Sequence, residues 1–166
     1  MRISFGSQVH VNEYKLEPLD PSIPLNSFCC PIEEYNEYLY KDALRSQNDH
    51  IAKTWLLRER TNGVVVAYMS LISDAIKLST PEKELHSLNY PFKTIPAIKI
   101  AKLAVSQVFS EKYRGIGSFM IEAAMSKAIG CNTDYCAARF LTVDACYSAA
   151  PNSLGVLPMA KLHRLI

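Results

Sequence analysis

The spacing of hydrophobic positions changes several times along the chain, and each change predicts an element. Residues 11–17 alternate loosely as a strand does, and the proline-bearing stretch that follows ends the pattern. Pro31 suits the first turn of a helix, Glu33 and Glu34 fall where the helix dipole favours carboxylates, and Tyr35, Tyr38, Leu39 and Ala43 share one face. A helix is therefore predicted from Pro31 to Gln47, its aromatics facing the core. Residues 53–60 and 64–78 read as two strands joined by Asn62-Gly63, a pair suited to a tight hairpin turn. Trp55 and Tyr68 are expected to approach each other across that hairpin. From Ser79 to Pro96 the pattern dissolves into a surface loop with one helical turn.

The most informative stretch runs from Ala97 to Ala128. An apolar run from Ile98 to Val105, interrupted by Lys99 and Lys102, predicts the central strand. A short polar turn leads to Lys112-Tyr113-Arg114-Gly115-Ile116-Gly117-Ser118, and from Ile116 the spacing becomes helical through Met120, Ala123 and Ala124. A buried strand, a glycine turn and a helix start, in that order, make a site for a phosphate. The glycines admit close backbone approach, and the first N–H groups of the helix point outward at the positive end of its dipole. Beyond Gly130 a loop containing Asn132, Thr133 and Asp134 is expected, then a strand from Arg139 to Ala145. The last twenty-one residues show neither period. The order of elements describes one α/β domain over residues 1–166, with an antiparallel hairpin on one side and a strand–helix–strand crossover on the other.

Composition narrows the classes. The 166 residues carry ordinary globular hydrophobicity and a net charge of +2, too small to foretell nucleic-acid binding from charge alone. No run reaches the length of a membrane-spanning helix, and Met1 opens no charged-then-apolar leader, so a soluble cytoplasmic protein without membrane contact is expected. Five cysteines, an odd number, argue for reduced thiols. Their spacings match no zinc knuckle and the four histidines are scattered, so no metal is expected. Asp74 and Glu59 are carboxylates near the hairpin, and surface ion pairing is their expected role.

Three nucleotide and nucleophile motifs can be tested directly. A Walker loop is absent, the third glycine of a dinucleotide fingerprint is replaced by Met120, and no nucleophile elbow occurs. What remains is Gly115-x-Gly117 with cations ahead of it and a helix behind it.

The combination IKIAKLAV, KYRGIGS, an amphipathic helix and RFLTVDA resembles the GCN5-related N-acetyltransferases, the GNAT family, over about residues 10–145. The segments FCCPIEEYNEYLYKDALRSQ and KTWLLRERTNGVVVAYMSL are similar to its small bacterial branch, which includes tRNA-acetylating toxins of toxin–antitoxin pairs and standalone relatives. The resemblance implies a mixed, mostly antiparallel sheet flanked by helices, with atypical or missing C-terminal strands. It implies acetyl-CoA as cosubstrate, an amine acceptor, and, in the toxin version, tRNA and an antitoxin as partners. By the same resemblance Leu103, Ala104 and Val105 would align the pantetheine arm. Lys112, Tyr113, Arg114, Gly115, Ile116, Gly117 and Ser118 would hold the diphosphate, with Lys112 standing where the family has Arg or Gln. The family's proton donor is a tyrosine beyond the last of these strands, and Tyr147 is the tyrosine nearest that place, offset toward the strand end. Sequence and family part company after Ala145. An unpaired sheet edge there would invite a homodimer, and a catalytically degenerate coenzyme- or partner-binding protein is the alternative function.

Overall fold

The computed structural model describes residues 11–85, 88, 90–143 and 163–164. A 3₁₀ turn, Val11–Glu13, leads into β1 (Tyr14–Pro18). There follow α1 (Glu33–Glu37), a π-helical segment (Tyr38–Asp42), α2 (Ala43–Asn48), β2 (Lys53–Glu59) and β3 (Val65–Ile76). The chain continues through α3 (Thr80–Leu85), β4 (Ile95–Val105), α4 (Gln107–Lys112), α5 (Ile116–Asp134), β5 (Phe140–Val143) and β6 (His163–Arg164). The sheet order is β1-β2-β3-β4-β5-β6. Two compact units emerge, one formed by residues up to Ile72 with Ala101–Ala124, the other by Ser73–Ile100 with residues from Met125 onward.

In the first unit, β1 and β2 pair antiparallel from Tyr14↔Glu59 to Pro18↔Trp55, and β2 pairs antiparallel with β3. Val65 through Leu71 are buried without a break, as expected for a strand covered on both faces. Leu19, Phe28, Leu39, Ala43, Leu56 and Tyr68 are among the side chains that pack into one cluster, which Ala104 of β4 also joins. Tyr68 is its largest member. Its hydroxyl donates to the Tyr35 carbonyl at 2.8 Å, its ring meets Phe28 edge-on, and burial pushes its pKa far up. The predicted helix over Pro31–Gln47 is present with a π turn at its middle.

Two hairpin details differ from the sequence expectation. Trp55 lies opposite Met69, and Tyr68 opposite Leu56. Successive strand residues point to opposite faces, so Trp55 and Tyr68 stand on different sides of the sheet. The turn is also longer than two residues. The Glu59 N–H donates to the Val64 carbonyl and the Gly63 N–H to the Glu59 carbonyl, each at 3.0 Å, so Arg60, Thr61, Asn62 and Gly63 all lie in the loop. Only Gly63 there has a positive φ, +72°, while the Asn62 carboxamide oxygen accepts the Val64 N–H at 3.0 Å.

In the second unit, Leu88, Ile95, Ala97 and Phe140 form a separate core with Ile76 and Leu78 against it. β4 and β5 pair in parallel from Ala97↔Phe140 to Ile100↔Val143. Asp74 accepts a hydrogen bond from the Thr142 hydroxyl at 3.2 Å, a structural role for one of the two candidate carboxylates. The loop expected from Ser79 carries the short helix α3, whose first turn is closed by Glu82 accepting from the Ser79 N–H at 2.7 Å.

Helix α5 overruns its predicted end. Asn132, Thr133 and Asp134 are helical, not loop. Thr133 is accommodated because its hydroxyl donates back to the Ile129 carbonyl at 3.1 Å. The Asn132 side chain serves the turn beyond, accepting the Ala138 N–H and donating to the Ala138 carbonyl. β6 pairs antiparallel with β5 through Phe140↔Arg164 and Leu141↔His163. At those two residues the β5 edge is covered by its own chain, which removes the reason for strand exchange there. Residues 144–145 of the last predicted strand lie outside the described residues.

One buried polar side chain fixes the entry to α1. Asn36 accepts the Cys30 N–H at 2.8 Å and donates to the Cys30 carbonyl at 2.9 Å while buried. Replacing it strands two backbone groups, so Asn36→Ala should lower stability by about 2 kcal/mol. Urea denaturation measures this, and a loss within experimental error would show that water replaces the side chain at no cost.

Candidate functional site

The site is built where β4 ends. Leu103, Ala104 and Val105 are its last three residues, with Ala104 buried and its neighbours half-buried. The strand's continuation is fixed by backbone bonds. The Ser106 N–H donates to the Val66 carbonyl of β3 at 2.8 Å, and the Gln107 N–H donates to the Cys29 carbonyl at 2.8 Å. Ser106 is itself buried, with an extended ψ of 137°, so the chain turns sharply here into α4.

Helix α4 replaces the short polar turn expected from sequence. Its start is capped by the Ser106 carbonyl, which accepts the Phe109 and Ser110 N–H groups at 3.0 and 2.9 Å. A serine at the N-cap position was the sequence signal for it, although its hydroxyl makes no cap bond. Phe109 is buried and stacks on Tyr113 with centroids 6.2 Å apart, tying the helix to the loop it leads into.

The loop then delivers the residues singled out by sequence in one short span. Lys112 ends α4, and its ammonium lies 5.0 Å above the Tyr113 ring. Hydrogen bonding to the Tyr113 side chain raises its pKa above the ordinary lysine value. Arg114 is exposed. Gly115 has φ of +96°, where a side chain is strained, and a β-carbon placed on it would meet nothing within 4 Å. Open space therefore faces this backbone. Gly117, by contrast, sits in the first turn of α5, and its β-carbon would touch Val105 at 4.0 Å, an ordinary contact.

Helix α5 begins its ladder with the Phe119 N–H on the Gly115 carbonyl at 2.9 Å. Helical geometry leaves the N–H groups of Ile116, Gly117 and Ser118 without an intrahelical acceptor, and no acidic side chain occupies the first turn. The helix is held by its buried positions Ile116, Met120 and Ala124, spaced four apart. Three donors, the positive end of the dipole, two exposed cations and an open glycine face thus fall within one short stretch, Lys112 to Ser118. Their chemistry fits an anion of phosphate type.

Lys102, one of the two lysines that interrupt the central strand, has a structural role. Its ammonium forms an ion pair with Glu34 and lies 4.6 Å over the Tyr35 ring and 5.9 Å from that of Tyr38. It serves to join β4 to α1. Glu59 is likewise occupied in the hairpin, where it accepts from the Asn62 carboxamide. Tyr147 lies outside the described residues. Among the described residues there is no cluster of three or more His, Cys, Asp or Glu side chains that could hold a metal ion, and no helix long and apolar enough to cross a membrane.

No protein-family model matches the sequence, and no curated protein matches it. Solved structures match the fold. AtaT complexed with acetyl-methionyl-tRNAfMet is similar with a TM-score of 0.69 at 21% identity, over 81% of this chain and 79% of that one. AtaTR bound with AcCoA gives a TM-score of 0.68 at 21% identity, over 82% and 80%. A tyrosine-to-phenylalanine mutant of KacT gives 0.69 at 18% identity, over 81% and 79%. At such identities the likeness establishes the architecture alone. The chain has the GNAT fold that its sequence resembles, a mixed, mostly antiparallel sheet flanked by helices.

Two glycines of the α5 region should answer substitution with opposite signs. Gly115→Ala forces a side chain into a left-handed conformation and should cost about 1–2 kcal/mol. Gly130→Ala, inside α5 with no heavy atom within 4 Å of the new β-carbon, should stabilise by about 0.5–1 kcal/mol. Thermal and urea denaturation of the pair measure this. Equal effects would contradict the loop geometry described.

Proposed function

We propose that this protein is an acetyl-CoA-dependent N-acetyltransferase that moves an acetyl group onto a primary amine, with the amino group of an aminoacyl-tRNA as its acceptor and an antitoxin as its regulatory partner. The observation that carries the reading is the anion cradle at the β4–α4–α5 junction. Coenzyme A presents a diphosphate, and the N–H groups of Ile116, Gly117 and Ser118, with the Lys112 and Arg114 charges, suit it. The open face of Gly115 leaves room for that diphosphate to reach the backbone.

The remaining residues of the junction follow from this placement. With the diphosphate at the head of α5, the pantetheine arm would lie along Leu103, Ala104 and Val105, whose strand is locked in place by the Ser106 and Gln107 backbone bonds. Tyr113, stacked on Phe109, would hold the loop closed beside the diphosphate. Bound acetyl-CoA supplies an acyl group activated as a thioester. The chain's own contribution at this junction is to bind, neutralise and orient. Lysine at position 112 keeps the positive charge but contributes it as a point, without the two-pronged fork of arginine.

The choice of acceptor and partner is supported by what the similar structures contain. AtaT has been seen with acetyl-methionyl-tRNAfMet, and a mutant of it with both the C-terminus of AtaR and acetyl-CoA. A tRNA acceptor adds a demand for positive charge, and the Glu34 pairing of Lys102 means that this charge must come from residues outside the β4–α1 contact.

Calorimetry and thiol release test the proposal together. Wild-type protein should bind acetyl-CoA and release coenzyme A thiol when given aminoacyl-tRNA. Gly117→Glu should remove binding through charge and bulk at the helix start, and a circular dichroism spectrum matching wild type would show that the fold is kept. Binding without thiol release on any amine would favour the silent coenzyme-binding alternative. Absence of acetyl-CoA binding by the wild type would overturn both readings.

A further inference from the structure

We propose that Cys131 and Cys136 form a reversible thiol–disulfide pair that staples the C-terminal end of α5 to the turn leading into β5. Neither residue belongs to the anion cradle, and the proposal is independent of the acetyltransferase reading.

The geometry begins with the helix end. The Cys131 carbonyl accepts two backbone donors, the N–H of Tyr135 and the N–H of Cys136, each at 2.9 Å. A carbonyl bonded to the N–H five residues on folds the chain back over its own last turn. That closure draws the two α-carbons toward each other, as the roughly 4.4–6.8 Å span of a disulfide requires. The side chain agrees with the backbone, since the Cys131 thiol donates to the Cys136 carbonyl at 3.5 Å. One thiol therefore already lies against the residue that carries the other.

The surroundings hold this turn ready. Asn132 bonds both the N–H and the carbonyl of Ala138, at 2.5 and 2.8 Å, and so clamps the segment between helix and strand. Thr133 bonds back to Ile129 and closes the preceding turn. Little conformational freedom is left to lose on cross-linking. Access is also provided, because Cys136 is exposed and Cys131 is half-exposed. The other described thiols are less suited. Cys29 and Cys30 are adjacent in sequence, and the Cys30 thiol is buried and donates to the Ile32 carbonyl at 3.3 Å.

The oxidant is a small-molecule disulfide of the glutathione type. One protein thiol, as thiolate, attacks the small disulfide, forming a mixed disulfide and releasing one small thiol. The second protein thiolate then attacks the protein-side sulfur and releases the other small thiol. The protein loses two hydrogen atoms, and the small disulfide gains them as two thiols. Excess small thiol reverses both steps. In a reducing compartment the pair rests as thiols and closes when the thiol pool is oxidised.

The test uses the full chain in glutathione buffers of increasing oxidised fraction, quenched with a maleimide and mapped by peptide mass. The expected result is a linked Cys131–Cys136 peptide, two hydrogens lighter, with both positions lost to alkylation and recovered on adding excess thiol. Cys131→Ser should instead leave Cys136 carrying a single glutathione. The oxidised wild type should melt higher than the reduced form, a difference absent from Cys131→Ser. Separate glutathionylation of both cysteines in the wild type, linkage of either one to Cys29, Cys30 or Cys146, or no oxidation of either would overturn the proposal.

Discussion

Two backbone hydrogen bonds decide where everything at the candidate site lies. The N–H groups of Ser106 and Gln107 are consecutive, yet they reach different partners, Val66 on β3 and Cys29 ahead of α1. Together they stop β4, turn the chain, and start α4. Such bonds are costly to lose in a buried setting, since Ser106 is almost fully enclosed. The height of the glycine loop above the strand end is then set by the six residues of α4, and the loop sets the first turn of α5. A phosphate cradle needs its donors at a fixed distance from the strand that would carry the rest of the ligand. This junction fixes that distance with main-chain atoms, whose positions side-chain rearrangement does not blur.

The charges around the junction divide into two groups with different tasks. Lys102 is spent on Glu34 and on the faces of Tyr35 and Tyr38, and it fastens β4 to the helix that Asn36 anchors. Lys112 and Arg114 remain exposed at the loop. The structure separates Lys102, paired with Glu34 of α1, from Lys112 at the end of α4 and Arg114 in the loop beyond it.

The parts legible in the sequence are those written in local chemistry. The hairpin strands, the helix over Pro31–Gln47, the central strand and the start of α5 at Ile116 follow from spacing, a turn dipeptide and a glycine pair. The ten residues proposed for coenzyme contact run from the end of β4, across the last residue of α4 and the glycine loop, to the first turn of α5. What the sequence hid depends on partners far along the chain. Trp55 and Tyr68 could be placed on opposite faces only once the register Leu56↔Tyr68 was known. The α5 overrun rests on Thr133 and Asn132 finding acceptors in context, against their usual preference for loops. The pairing of Phe140–Leu141 with His163–Arg164 joins residues that no local pattern connects.

The central claim is that the exposed N–H groups at the start of α5 receive a coenzyme diphosphate. Amide NMR of the ¹⁵N-labelled protein during titration with coenzyme A tests it at atomic level. The account predicts that the amides of Gly115, Ile116, Gly117 and Ser118 shift first and most, saturating together, with smaller changes along Leu103–Val105. Saturable binding that leaves those four amides unmoved would contradict it.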